Sequence, residues 1–139
     1  MRHGVRIVLA AFIATSALIA CAQGKGSADE ILKAYKAAHA KKDVPALLAL
    51  VLFQTGGAAE KASWRDDFDA ETRSQVTVKL VPLADYAVML SPEARKRIRP
   101  SITVVNWLVV EYPPQNSSSQ RSGLYPIGKE NGRFFIVGP

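Results

Sequence analysis

Few side chains in this 139-residue chain can do chemistry, and the scarce ones are far apart in the sequence. The cysteine Cys21 stands alone, and the two histidines are His3 and His39. That inventory excludes Cys/His zinc clusters and a three-histidine catalytic zinc. Any histidine-dependent acid–base step in the mature chain would have to use His39. No G-x-S-x-G run supplies a nucleophile for a hydrolytic triad, so His39 reads first as a part-exposed residue closing a helix face. Asp66, Asp67, Asp69 and Glu71 present hard oxygens of the kind calcium prefers, but they lack the glycine and spacing of a twelve-residue calcium loop. They read as the solvated end of a helix, and neither a metal nor a cofactor is expected. Arg95, Lys96, Arg97 and Arg99 put four cations within five residues.

The first residues decide what those cations meet. Met1–Arg6 is short and basic, and Ile7–Ala20 is fourteen residues long, apolar apart from Thr15 and Ser16. As a helix it reaches about 21 Å, short of the roughly 30 Å hydrocarbon core, so it reads as a signal peptide over residues 1–20. Leu18-Ile19-Ala20-Cys21 resembles a bacterial lipobox, in which the cysteine sulfur attacks a lipid donor. Ala20-Cys21-Ala22 also satisfies the small-x-small rule of ordinary cleavage, which would release a soluble periplasmic protein. Lipid attachment at Cys21 is favoured because it explains the cysteine. By resemblance to Gram-negative lipoproteins, Ala22 implies sorting to the outer membrane. Two or three acyl chains would hold the protein there. Removing the leader takes two arginines from a net charge of +6 and leaves a basic chain. An exported chain meets anionic phospholipid or envelope polymers, not nucleic acid, so Arg95, Lys96, Arg97 and Arg99 are either an anionic-surface contact or a solvated face.

The elements that must position these residues are mostly legible. Residues 21–27 read as a lipidated tether and 28–139 as one domain, large enough to bury roughly two-thirds of its unfolded surface without disulfides. Ser27-Ala28-Asp29-Glu30 is a capping box, and Ile31, Leu32, Tyr35, Ala38 and His39 follow on one helical face. Asp43 and Pro45 open a second helix whose apolar run Ala46–Leu52 predicts burial. Gly56-Gly57 ends it, and a third helix spans Ala58–Thr72, with Trp64 and Phe68 paired at i and i+4. Val76–Leu80 alternates as a strand up to Pro82, and Ser91-Pro92-Glu93 starts a short helix. Ile102–Tyr112 is a long interior strand. Leu124–Ile127 and Arg133–Val137 then form a hairpin around Asn131-Gly132.

Helices first and strands afterwards make an α+β fold, two to three N-terminal helices packed on a curved antiparallel sheet. Ala34-Tyr35-x-x-Ala38, Lys42-Asp43-x-x-Ala46-Leu47 and the closing Asn131-Gly132-Arg133-Phe134 are similar to the ends of nuclear-transport-factor-two-like proteins, in particular small exported lipoproteins of that superfamily, a resemblance that implies a cone-like sheet. The middle, from Gly56 to Pro100, carries no such match. Some enzymes of the superfamily place a tyrosine on the first helix and two acids around a conical pocket. Tyr35 falls at the tyrosine position. The base does not carry over, because the chain after the second helix reads Phe53-Gln54-Thr55-Gly56. Tyr35 is otherwise a helix residue packed on the sheet with its hydroxyl bonded.

Tyr35, His39, Asn106 and Trp107 are the candidate pocket residues, and no catalytic residue is assigned. Asn106 shares its strand face with Val104 and Leu108, whereas Glu111 shares one with Trp107 and Val109. Trp107, Tyr125, Phe134 and Phe135 are either plain core or the apolar wall of a cavity. The resulting expectation is a non-catalytic envelope lipoprotein facing the periplasm, whose domain binds a small apolar ligand or an envelope protein. The alternative is an isomerase or dehydratase built on Tyr35 with Asn106 and an acid not yet placed. The resemblance also allows a homodimer.

Overall fold

Ser27 sets where the first helix begins. Its Oγ accepts from the Glu30 amide at 3.2 Å, and the Glu30 carboxylate reaches back to the Gly26 amide at 2.8 Å. A computed structural model of the chain describes residues 23–114 and 120–138. The leader and Cys21, residues 115–119 and residue 139 lie outside the described residues. Helix α1 is Ala28–Ala40. Lys42 turns the chain with a φ of 54°, and Asp43 then caps α2 (Val44–Leu48) through a 3.0 Å bond from the Ala46 amide.

The second helix is shorter than the apolar run predicts. Leu50 leaves it, and Val51–Leu52 becomes β1, parallel to the last strand. An all-round apolar run carries no helical period, so the open edge of the final strand decides its conformation; Ile136 donates to the Leu50 carbonyl at 2.9 Å. The following loop is folded around one carboxylate. Glu60 accepts from the backbone amides of Gln54, Thr55 and Gly56 and from the Thr55 hydroxyl, at 2.6–2.9 Å. Burial opposes ionisation of Glu60, but these four donors outweigh it and hold the carboxyl below its ordinary value. Helix α3 (Ala58–Glu71) starts from that loop.

Strand β2 (Thr77–Pro82) leads into a 3-10 segment, Leu83–Met89, and then α4 (Pro92–Arg97), capped by Ser91. Strands β3 (Thr103–Glu111), β4 (Ser122–Glu130) and β5 (Arg133–Val137) complete the chain. Asn131 and Gly132 both have positive φ, 50° and 76°, as a type I′ hairpin requires. The sheet order is β1-β5-β4-β3-β2, antiparallel except for β1. The expected antiparallel sheet is thus mixed, and β3 lies inside it as expected. A bulge between Val104 and Asn106 bends β3 and breaks its alternation, sending Val104 to the opposite face from Leu108.

Helices α1, α2 and α3 cover one face. Ile31, Tyr35, Leu47 and Phe68 meet Leu108, Ile127 and Ile136 there, all fully buried. Opposite, Ile98, Ile102, Val104 and Val137 make a smaller cluster, with Leu83, Leu90 and Phe135 against it. The N-terminal segment is not a free tether. Gln23 donates to the Ala49 carbonyl and Lys25 pairs with Phe134 in both directions, so residues before Ser27 are already bonded to the domain. Every member of the two clusters lies between Ala28 and Val137, so a chain of residues 23–139 contains both. No helix among the described residues is long and apolar enough to cross a membrane.

Candidate functional site

Helix α3 carries the side chain around which the site is built. Trp64, Phe68 and Glu71 fall at i, i+4 and i+7, one stripe of the helix, and that stripe faces the sheet. Glu71 is therefore 2% exposed, while Asp66, Asp67 and Asp69 remain in solvent. The acidic run is not a uniformly solvated helix end, because its last member is turned into the protein.

A buried carboxyl is costly unless its oxygens find donors. Three phenols supply them. Tyr35, from α1, donates to Glu71 Oε1; Tyr125, from β4, donates to Oε2 at 2.8 Å; and Tyr112, just past β3, donates to Oε2 at 3.3 Å. The side chains reach one point because Tyr125 pairs with Leu108 in the sheet register, and Tyr112 continues the inward alternation of Leu108 and Val110. Phe68 packs edge-on against Tyr35, with centroids 6.1 Å apart, and lies 6.0 Å from Tyr125. His39 joins from α1, its Nε2–H donating to the Glu71 carbonyl at 3.2 Å. No buried side-chain polar atom lacks a partner among the described residues, and neither ion pair found there involves Glu71.

The electrostatics follow from this packing. Burial, and then the adjacent Glu71 carboxylate, push the Tyr35 and Tyr125 hydroxyls far above the ordinary phenol range. The same two causes push Tyr112 up to about 12. All three therefore stay protonated at neutral pH and act as donors, not as bases or phenolate nucleophiles. A carboxylate offers about four lone-pair directions; Tyr112 and Tyr125 fill the two on Oε2, and the one left is on Oε1, beside the sealed Tyr35 hydroxyl.

A cleft of about 390 Å³ opens beside the cluster, bordered by Asp67, Glu71, Ser74, Tyr112, Arg121 and Tyr125. The Arg121 guanidinium lies 5.6 Å from the Tyr112 ring centroid. Tyr112 and Ser74 separate this cleft from a shallower hollow of about 670 Å³ that reaches His39, Thr72 and Glu111. No group of three or more possible metal ligands occurs among the described residues.

Of the residues singled out from the sequence, Tyr35 belongs to the cluster but is sealed beneath it, and His39 borders the adjoining hollow. Asn106 and Trp107 lie elsewhere. The Asn106 amide donates to the Val81 carbonyl at 3.4 Å, and the Trp107 indole donates to Leu83 at 3.2 Å under the 3-10 segment. Glu111 pairs instead with Lys79 at 2.6 Å. Arg95, Lys96, Arg97 and Arg99 are exposed around α4, and Cys21 is outside the described residues. Sequence reasoning missed Glu71, Tyr112 and Tyr125 as a unit. The signal for Glu71 was its place three residues after Phe68, on the apolar stripe.

Fold and site together define an α+β protein with helices packed on a curved mixed sheet, compatible with a cone-like fold, and a tyrosine-caged carboxyl at one end of its core. No family model, no curated protein and no solved structure matches the chain.

Proposed function

We propose that the domain is a non-catalytic binding module, and that the cleft over Glu71 takes a small polar ligand presenting N–H or O–H donors. The observation that carries this reading is an open cleft of about 390 Å³ bordered by the Glu71 carboxyl, the protonated Tyr112 and Tyr125 phenols that hold it, Asp67, Ser74 and Arg121. Asp67, the Ser74 hydroxyl and the phenol oxygens of Tyr112 and Tyr125 are the acceptors at the cleft, and Arg121 adds a cation at the same border. Such walls favour a donor-rich ligand over the small apolar one expected from the aromatic strand residues. An envelope protein that inserts a donor side chain would satisfy the same groups.

The superfamily resemblance, the lipid anchor at Cys21 and an outer-membrane, periplasm-facing location belong to this proposal. What supports them is the lipobox-like run and the order of helices and strands. An isomerase or dehydratase would have to run through Glu71 with Tyr112 and Tyr125. Tyr35 is sealed from the cleft, and the Asn106 amide is bonded to a strand carbonyl.

Native mass spectrometry of the protein purified from its own envelope tests the reading. The expected result is a stoichiometric, dissociable adduct that is weakened at least about tenfold by Tyr112→Phe, which removes from the cleft wall the phenol oxygen that accepts from the ligand, without opening the core. A bare chain, or an adduct held equally by wild type, Tyr112→Phe and Glu71→Gln, overturns it.

A further inference from the structure

The face opposite the cleft carries a different surface. Val88 and Met89 are 86% and 55% exposed and are the large hydrophobic side chains left in solvent among the described residues. They sit at the end of the 3-10 segment, and α4 begins three residues after Met89. Arg95, Lys96, Arg97 and Arg99 follow, all exposed, and none makes an ion pair among the described residues. The acids on the same stretch are Asp85 and Glu93, so the cations outnumber them two to one. Glu130, on β4, is occupied by the Ser101 hydroxyl at 2.9 Å.

The stretch is anchored to the sheet. Leu83, Leu90, Ile98 and Ile102 all enter the smaller hydrophobic cluster, pinning the segment before, between and after the exposed residues. Leaving Val88 and Met89 outside is therefore not the result of a loose loop. The chain also enters the fold on this side. Gly24 lies against the Phe135 ring, and Phe135 packs on the same cluster as Leu90 and Ile98.

We propose that the segment from Val88 to Arg99 docks on an anionic phospholipid bilayer, with the four cations at the phosphates and Val88 and Met89 entering the interface. Charge complementarity commits the surface to an anionic bilayer, and a neighbouring apolar pair is what a bilayer accepts and a soluble polyanion does not. Docking does not depend on acylation of Cys21, because the surface itself supplies both terms. It also leaves the cleft on the opposite face free.

The test uses residues 23–139 and co-sedimentation with vesicles of phosphatidylcholine containing phosphatidylglycerol, against pure phosphatidylcholine, at low and high salt. Wild type should prefer the anionic vesicles by at least about tenfold at low salt. Arg95→Gln/Lys96→Gln/Arg97→Gln/Arg99→Gln should lose at least about tenfold of that binding together with its salt dependence. Val88→Ser/Met89→Ser should lose roughly tenfold even at high salt, where apolar insertion is what remains. All six positions are exposed, and circular dichroism with thermal melting verifies that the variants fold. Equal partition onto both vesicle types, or unchanged binding by the four-glutamine variant, overturns the proposal. So does retention on heparin without retention on anionic vesicles, which would assign the cations to a soluble polyanion. Wild-type binding by the serine pair overturns the insertion of Val88 and Met89.

Discussion

Replacing Tyr35 by Phe removes one oxygen from the interior and changes almost nothing in shape. Tyr35 is fully buried, and its hydroxyl is the hydrogen-bond donor to Glu71 Oε1, whereas Oε2 is shared by Tyr125 and Tyr112. The variant therefore leaves one oxygen of a buried carboxyl without a donor, in a place where water has no ready access. A hydrogen bond to a charged group contributes about 1.5–3 kcal/mol. For a domain of this size that corresponds to a fall in melting temperature of roughly 6–12 °C. Tyr112→Phe should cost much less, about 0.5 kcal/mol, because its bond is longer, at 3.3 Å, and its side chain is part-exposed, so water can replace the lost donor. Urea unfolding of both variants, and of Tyr35→Phe combined with Glu71→Gln, supplies the check. The double-mutant cycle should give a coupling of about 1–2 kcal/mol. A loss below about 0.5 kcal/mol for Tyr35→Phe, or a coupling indistinguishable from zero, would falsify the caged carboxyl as a stabilising unit.

Two further outcomes follow from the same interior. The folded-state values of Tyr35, Tyr125 and Tyr112 are all raised above the ordinary 10.0, so their contribution is complete below pH 10 and is lost as pH rises above it. Stability should fall by about 1.4 kcal/mol per pH unit above 10 for each of Tyr35 and Tyr125, and by less for the more exposed Tyr112. Absorbance at the phenolate band should show these tyrosines ionising together with unfolding, and independent ionisation near pH 10 in the folded protein would contradict the burial. On the other face of the sheet, a Cβ at Gly128 would collide with Ile102 Cγ2 and lie 3.0 Å from Val137 Cγ1. Gly128→Ala should cost about 1–3 kcal/mol by overpacking, measured by thermal melting, and an unchanged melting temperature would show that the smaller cluster yields freely.

The features legible in the sequence were those fixed by local chemistry. Ser27, Asp43 and Ser91 cap helices because a side-chain oxygen sits in the right place relative to free amides, and Asn131-Gly132 turns the last hairpin because both residues tolerate positive φ. The features that were not legible depend on partners distant in the chain. Val51–Leu52 continues a run as apolar as a buried helix, and pairing with the edge of β5 draws it into a strand. The bulge beside Val104 places Asn106 by a change of alternation that no residue type announces.

Glu71 lies between these cases. Its helical position was readable, but the three phenols come from α1, from the residue just past β3 and from β4, with Tyr112 and Tyr125 lying 41 and 54 residues away in sequence. A one-residue slip of β3 against β4 would carry Tyr125 to the other face and strand the carboxyl without that donor. The caged carboxyl therefore penalises the wrong register while it borders the cleft, and a single residue type serves folding and recognition at one point. Tyr35 and Tyr112 separate the two roles, the first sealed below the carboxyl and the second at the cleft wall. A loss of stability without loss of ligand in Tyr35→Phe, set against a loss of ligand with little loss of stability in Tyr112→Phe, is the pattern that this geometry requires.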